Sequence, residues 1–204
     1  LTSIFPARGA PVVYDDTVYF ATSVWPLMGV FIHALNATTG EVVWSNGGTG
    51  SMYLPQQHDR PAFAGIAPQG YLVATAEHLL VAGGQTAPAI LDRRTGEFGH
   101  LNLHSRQMGT KGGGGYRVRA SDDFFVIGED LFRISDGDYL VKVHDPVIAE
   151  DAMIGIDDGF TMRAFEHEMK IETIVDRKGR SVGQAKLNER WNATFYPQLA
   201  KIHL

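Results

Sequence analysis

An all-β fold of repeated four-stranded units is predicted by three features of the chain. Apolar, β-branched and aromatic residues gather in short runs, such as Val18-Tyr19-Phe20-Ala21 and Phe124-Phe125-Val126-Ile127, whose composition and length suit strands. Turns closing on a glycine follow many of these runs, Asn36-Ala37-Thr38-Thr39-Gly40 being the clearest. The turn glycines Gly40, Gly96, Gly137 and Gly179 fall 56, 41 and 42 residues apart. A recurrence of about 40–45 residues with about four strands per unit is the arithmetic of a β-propeller blade. Each blade has apolar flanks that it buries only against its neighbours.

The first unit opens with Pro11-Val12-Val13-Tyr14, an inner strand, and Asp15-Asp16, a hairpin turn. It continues through Val18 to Ala21, Val30 to Leu35 and, past Gly40, Glu41-Val42-Val43-Trp44. Ser23 to Gly29 is an insertion that puts Trp25 and Met28 in a loop, and loops at propeller ends carry binding, so Trp25 is a candidate contact, against packing of both residues over the adjoining blade edge. Residues 46–69 are the least repeat-like. Their glycines and prolines forbid a long regular element, and their length marks a functional or partner-binding loop. Its polar cluster is His58, Asp59 and Arg60; His58 beside Asp59 has the chemistry for proton transfer if a substrate sits nearby, against a plain solvated loop in which Asp59 and Arg60 pair.

The second unit spans Leu79 to Ala82, Ala89 to Asp92, the turn Arg93-Arg94-Thr95-Gly96, and Glu97-Phe98, with His78 expected in an exposed turn. Lys111 precedes the run Gly112 to Gly115. A phosphate loop needs Lys-Ser/Thr after the glycines and then a helix, whereas Tyr116-Arg117-Val118 begins a strand, so this stretch reads as a linker between blades. The third unit is Phe124 to Ile127, Leu131 to Ile134, Ser135-Asp136-Gly137 and Asp138 to Val141. Its acids do not follow the twelve-residue calcium-loop pattern and belong to turns.

The fourth unit has Ile154-Gly155-Ile156, Phe160 to Arg163, and Ile174-Val175-Asp176 before the turn at Gly179. Within it Phe165, His167, Met169, Ile171, Thr173 and Val175 alternate with a largely charged set, the period of a strand. His167-Glu168 is no zinc motif, because Ile171 stands where the second His would be; His167 is expected to be a hydrogen-bonded interior or interface histidine. Trp191 is expected to close this unit as an inter-blade wedge.

The residues Val18-Tyr19-Phe20-Ala21 and His33-Ala34-Leu35-Asn36-Ala37-Thr38-Thr39-Gly40-Glu41-Val42-Val43-Trp44 resemble the repeat of pyrroloquinoline-quinone (PQQ)-type propellers, V-Y-x-x … A-L-D-x-x-T-G-x-x-x-W, with Asn36 where Asp is usual. Residues 79–98 keep Leu91-Asp92 and Thr95-Gly96-Glu97 but lack the closing Trp; the last two units keep the strand pattern and the glycine. The resemblance implies an all-β propeller of four-stranded antiparallel blades, about four in this chain, with approximate blades at 1–50, 68–104, 116–145 and 152–195. That family usually closes with about seven or eight blades, so the chain is expected to form part of a larger ring and a longer protein.

Composition narrows the function. The net charge of −5 without a basic stripe argues against nucleic acid as a partner. The absence of cysteine removes disulfides and thiolate metal sites. No apolar run reaches the ~18 residues needed to span a membrane. Three functions fit the resemblance. The first is a non-catalytic binding or scaffold module that takes a protein, glycan or small ligand on its loop face. The second is a PQQ-dependent alcohol or sugar dehydrogenase with PQQ and calcium, for which Trp25, Asp59, Arg60 and Lys111 are residues of suitable type without the family's spacing. The third is an accessory propeller of a secreted polysaccharide-active enzyme. No catalytic constellation stands out in the sequence, which favours the binding module with no bound cofactor; Trp25, His58, Asp59, Arg60 and Lys111 are then its ligand or partner contacts. An extracytoplasmic (periplasmic or secreted) location is implied by the resemblance alone.

Overall fold

The computed structural model describes residues 5–23, 28–47, 52–55, 61–83, 87–100, 115–137, 139–156, 160–175, 179 and 181–195. Four four-stranded antiparallel sheets follow one another along the chain, each a simple meander. The first is β1 (Ala7–Tyr14), β2 (Thr17–Thr22), β3 (Phe31–Asn36) and β4 (Val42–Asn46). A two-stranded hairpin, β5 (Met52–Pro55) and β6 (Pro61–Ala64), precedes the second sheet of β7 (Leu72–Ala74), β8 (His78–Val81), β9 (Ala89–Asp92) and β10 (Phe98–His100). The third comprises β11 (Val118–Ala120), β12 (Phe124–Ile127), β13 (Asp130–Arg133) and β14 (Tyr139–Lys142). The fourth comprises β15 (Val147–Ile148), β16 (Met153–Ile156), β17 (Thr161–Val175) and β18 (Ser181–Thr194).

The sheets are propeller blades because of how they share cores. Tyr19, Ala21, Ile32 and Ala34 of the first pack on Leu72, Leu79, Val81 and Leu91 of the second. The other side of the second sheet, Leu80, Ala82 and Ile90, packs on Phe125, Ile127 and Phe132 of the third. Phe124, Val126 and Leu131 then meet Met153 and Leu187 of the fourth. Both faces of the middle blades are thus buried, which is why Phe124 to Ile127 is an unbroken apolar run rather than an alternating one. Fully buried rings such as Phe124, Phe125 and Phe132 each contribute about 2–3 kcal/mol of hydrophobic stabilisation. The first strands of successive blades lie side by side, β1 touching β7, β7 touching β11 and β11 touching β15, with a parallel bridge between Ala10 and Tyr71. They line the axis.

All four turn glycines adopt positive φ, from 71° to 78°, so the recurrence read from the sequence is one of backbone conformation. Residues 46–69 hold no long regular element among those described; they contain a short hairpin, β5–β6, in which Pro55 faces Pro61 at the end of the ladder. Edge and terminal positions tolerate a residue without an N–H. One expectation is corrected: 160–163 and 165–175 are not separate strands, because Thr161–Val175 forms one 15-residue strand. Trp191 is 43% exposed on the outermost strand of the fourth blade, whereas Trp44, at the end of the first blade, reaches the second.

Candidate functional site

Three blades repeat one turn construction. Asn36 Oδ1 accepts bonds from the Thr38 and Thr39 N–H groups at 2.9 and 2.8 Å, and Asp92 Oδ1 accepts those of Arg94 and Thr95 at the same two distances. These bonds, Thr95's first, hold the Asp92 carboxyl below its ordinary range. The turn between third and fourth strands then hangs on the turn between first and second: Ala37 N–H donates to Asp16 O, Arg93 N–H to Glu77 O and Ile134 N–H to Asp123 O, at 2.8 to 2.9 Å. Both turn families therefore lie at one end of the axis, the turn face.

The first-to-second-strand turns carry carboxylates in every blade. Asp15 and Asp16 form a two-residue turn with φ of 51° and 54°, a left-handed pair that Asp tolerates better than most residues. Glu77, then Asp122 and Asp123, then Glu150 and Asp151 occupy the corresponding turns. A cavity of about 440 Å³ opens among them, lined from all four blades by Tyr14, Thr75, Asp122, Asp123, Glu150 and His167 among others. Asp122 accepts the Glu77 N–H at 3.3 Å, and Asp151 is paired with Arg190 at 2.8 Å, which lowers its pKa. Asp16, Asp123 and Glu150 have no ion-pair partner among the described residues, so the mouth is negative and concave, a shape that focuses its field on cations.

Arg93 braces this face from below. Its side chain is 6% exposed; Nη1 donates to Tyr19 Oη at 3.0 Å, and Nε and Nη2 donate to Ala76 O at 3.1 and 2.9 Å. The guanidinium lies 4.5 Å from the Tyr14 ring centroid and 3.8 Å from Asp15. One buried fork thus ties the first blade to the second, a role the planar guanidinium suits and a lysine does not. The sequence reading placed Arg93 only in a turn.

The fourth blade differs from the rest at this end. Its partner β16 pairs with β17 only over Met162 to Phe165, while β17 continues to Val175 and pairs with β18 as far as Ser181. The hairpin therefore rises about 30 Å past the turn face, at ~3.3 Å per residue. At its base the β17–β18 register shifts between Phe165 and Met169, a bulge that re-aims the intervening residues. His167 sits there, its ring edge-on to Phe124 at 4.9 Å between centroids, lining the cavity. One ring nitrogen, His167 Nε2, is buried with no hydrogen-bond partner among the described residues. His78, expected to be exposed, is half-buried and its Nδ1 is likewise without a partner.

The sequence-predicted contacts Trp25, His58, Asp59, Arg60 and Lys111 lie outside the described residues. The strands that flank the Trp25 and Lys111 segments, β2–β3 and β10–β11, end opposite the turn face. Ser23, which leads into the Trp25 segment, is buried at a φ of 78° with its hydroxyl unpartnered, a strained residue of the kind that accompanies functional loops. The turn face was missed because its acids are spread over four turns between Asp15 and Asp151. Aligning the strand pairs would have stacked Asp15-Asp16, Asp122-Asp123 and Glu150-Asp151 in one column.

Among the described residues no group of three or more His, Asp or Glu side chains is placed to hold a metal ion. Nor does the cavity suit PQQ: that cofactor carries carboxylates needing Arg or Lys, and the lining supplies Asp122, Asp123 and Glu150 without either cation. No helix among the described residues is long and apolar enough to cross a membrane. No family model matches the chain, and no curated protein matches it. Among solved structures the chain is similar to BamB from Moraxella catarrhalis at 17% identity, covering 92% of this chain and 50% of that one with a TM-score of 0.45. It is similar to the computationally designed Ika4 protein at 11% identity, covering 80% and 95%, TM-score 0.46. The quinohemoprotein alcohol dehydrogenase from Comamonas testosteroni is similar at 15% identity over 94% of this chain and 35% of that one, TM-score 0.45. The chain thus spans half the length of the first of these and about a third of the last.

Proposed function

We propose that the chain is a non-catalytic propeller module of the PQQ-like repeat type, part of a larger ring, that binds a protein partner through its turn face. The observation that carries this reading is a cavity lined from all four blades, with Asp122, Asp123 and Glu150 as its charged groups, beside a hairpin that overtops it. The polar side chains beneath that face are engaged in building it: Asn36 and Asp92 cap turns, and Arg93 joins two blades. The exposed, negative rim fits a partner with a basic surface, for which complementary charge sets encounter rate and specificity. The larger ring is supported by the uncovered side of the first blade, where Val13 is 63% and Val43 54% exposed.

The test is titration of fluorescein-labelled nonalysine against the protein and its Asp122→Asn/Asp123→Asn variant at low and moderate salt. The variant is expected to bind at least ~5-fold more weakly, with salt reducing the difference. Equal binding by both proteins would remove the turn face from the account. Dye reduction with alcohols or sugars in the presence of PQQ and calcium would overturn the non-catalytic assignment.

A further inference from the structure

The projecting part of β17 has an open backbone edge, and its orientation tells what can fill it. The fourth sheet runs β15, β16, β17, β18 from the axis outward. Because β16 stops pairing at Phe165, the axial edge of β17 from Glu166 to Val175 has no strand partner among the described residues. That edge begins at the cavity, where His167 at its foot is part of the lining. A ribbon of two strands is marginal by itself, and a row of unpaired N–H and C=O groups is a template for a further strand.

Resting on the turn-face reading, we infer that this edge receives an extended, basic segment of the partner, which adds to β17 as a strand and sets alternate Lys or Arg side chains against Glu166 and Glu168 and, at its foot, the acidic mouth. Charge selects the occupant. Asp123 and Glu150 at the mouth, and Glu166 and Glu168 on the strand itself, have no ion-pair partner among the described residues, while Glu172 is held by Lys186 at 3.0 Å. A second copy of this chain is disfavoured at the same edge, because pairing two such edges brings two acidic mouths together. Main-chain bonds would supply affinity and the alternating cations specificity, the division of labour general to strand addition.

An added strand bonds its neighbour through alternate residues only, and this gives a readout that simple charge attraction lacks. The probe is a fluorescein-labelled peptide of alternating Lys and Val, nine residues long, in three forms: unmodified, N-methylated at the Lys amides, and N-methylated at the Val amides. One methylated set is expected to weaken binding at least ~10-fold and the other less than ~3-fold, and the Glu-for-Lys peptide is expected not to bind. Equal effects of the two sets, with binding still weakened by Asp122→Asn/Asp123→Asn, would overturn strand addition and leave the acidic face standing. Binding that ignores both the methylation and the variant, or no binding, would overturn both. A dimer in sedimentation that the Lys peptide dissociates would instead give the edge to a second copy and overturn the inference.

Discussion

The indole of Trp44 occupies the space that a side chain at Gly96 would need. A Cβ built there would lie 2.4 Å from the ring, while Trp44 Nε1 donates to Arg93 O at 2.9 Å and Asn46 Nδ2 to Gly96 O at 2.7 Å. The last strand of the first blade is thereby bolted to the third-to-fourth-strand turn of the second. Gly40 shares the φ of 73° but has open space around it. Gly40→Ala is therefore expected to cost about 1 kcal/mol, the backbone term alone. Gly96→Ala adds overlap with a rigid ring and is expected to cost about 2–4 kcal/mol by urea denaturation. Combining it with Trp44→Leu should recover part of the difference, because the two residues compete for one volume.

Arg93 yields a second expectation. Arg93→Met keeps the stem but leaves Tyr19 Oη and Ala76 O without their donor, an expected loss of about 2–4 kcal/mol. Arg93→Lys retains the charge without the fork and should recover less than half of that loss. Full recovery in a denaturation series would show that charge, rather than geometry, holds the two blades together.

Asp92 and Asn36 perform the same capping task with different acid–base behaviour. The folded pKa of Asp92 is depressed, so its contribution is fully present above the unfolded value of about 3.9 and is lost as pH falls through the folded one. Asp92→Asn should leave stability near neutral pH within about 0.5 kcal/mol and flatten the decline below pH 4, since Asn36 makes the same bonds. Asp92→Ala should cost about 1 kcal/mol at neutral pH. A variant with Asn that keeps the full acid dependence would show that the turn is not its source.

How much of this was legible in the residues depends on the range of the interaction. The turns were readable because Asn36, Asp92 and the four glycines act within five residues of themselves. The strands of the middle blades were readable because burial on both faces leaves an unbroken apolar run. That Trp44 is a wedge depends on the next turn leaving room for it, as Gly96 does. Arg93 and His167 were opaque for a related reason. A turn arginine and a strand histidine look solvated until residues 74 positions away (Tyr19) or in the adjoining blade (Phe124) are brought against them. The height of the β17–β18 hairpin was obscured by the same alternation that marked it as strand, since period two does not tell where pairing with β16 ends.

The arrangement of the sheets about one axis is tested most directly by a cross-link between first strands. The chain has no cysteine, so Ala10→Cys/Tyr71→Cys introduces a single pair at the parallel bridge that joins β1 to β7. Neighbouring residues of paired strands fall within disulfide reach. Mild oxidation is expected to give a monomeric, cross-linked species with retained β-sheet circular dichroism and higher denaturation resistance. Free thiols after oxidation, or disulfides found only between molecules, would contradict the placement of these strands side by side.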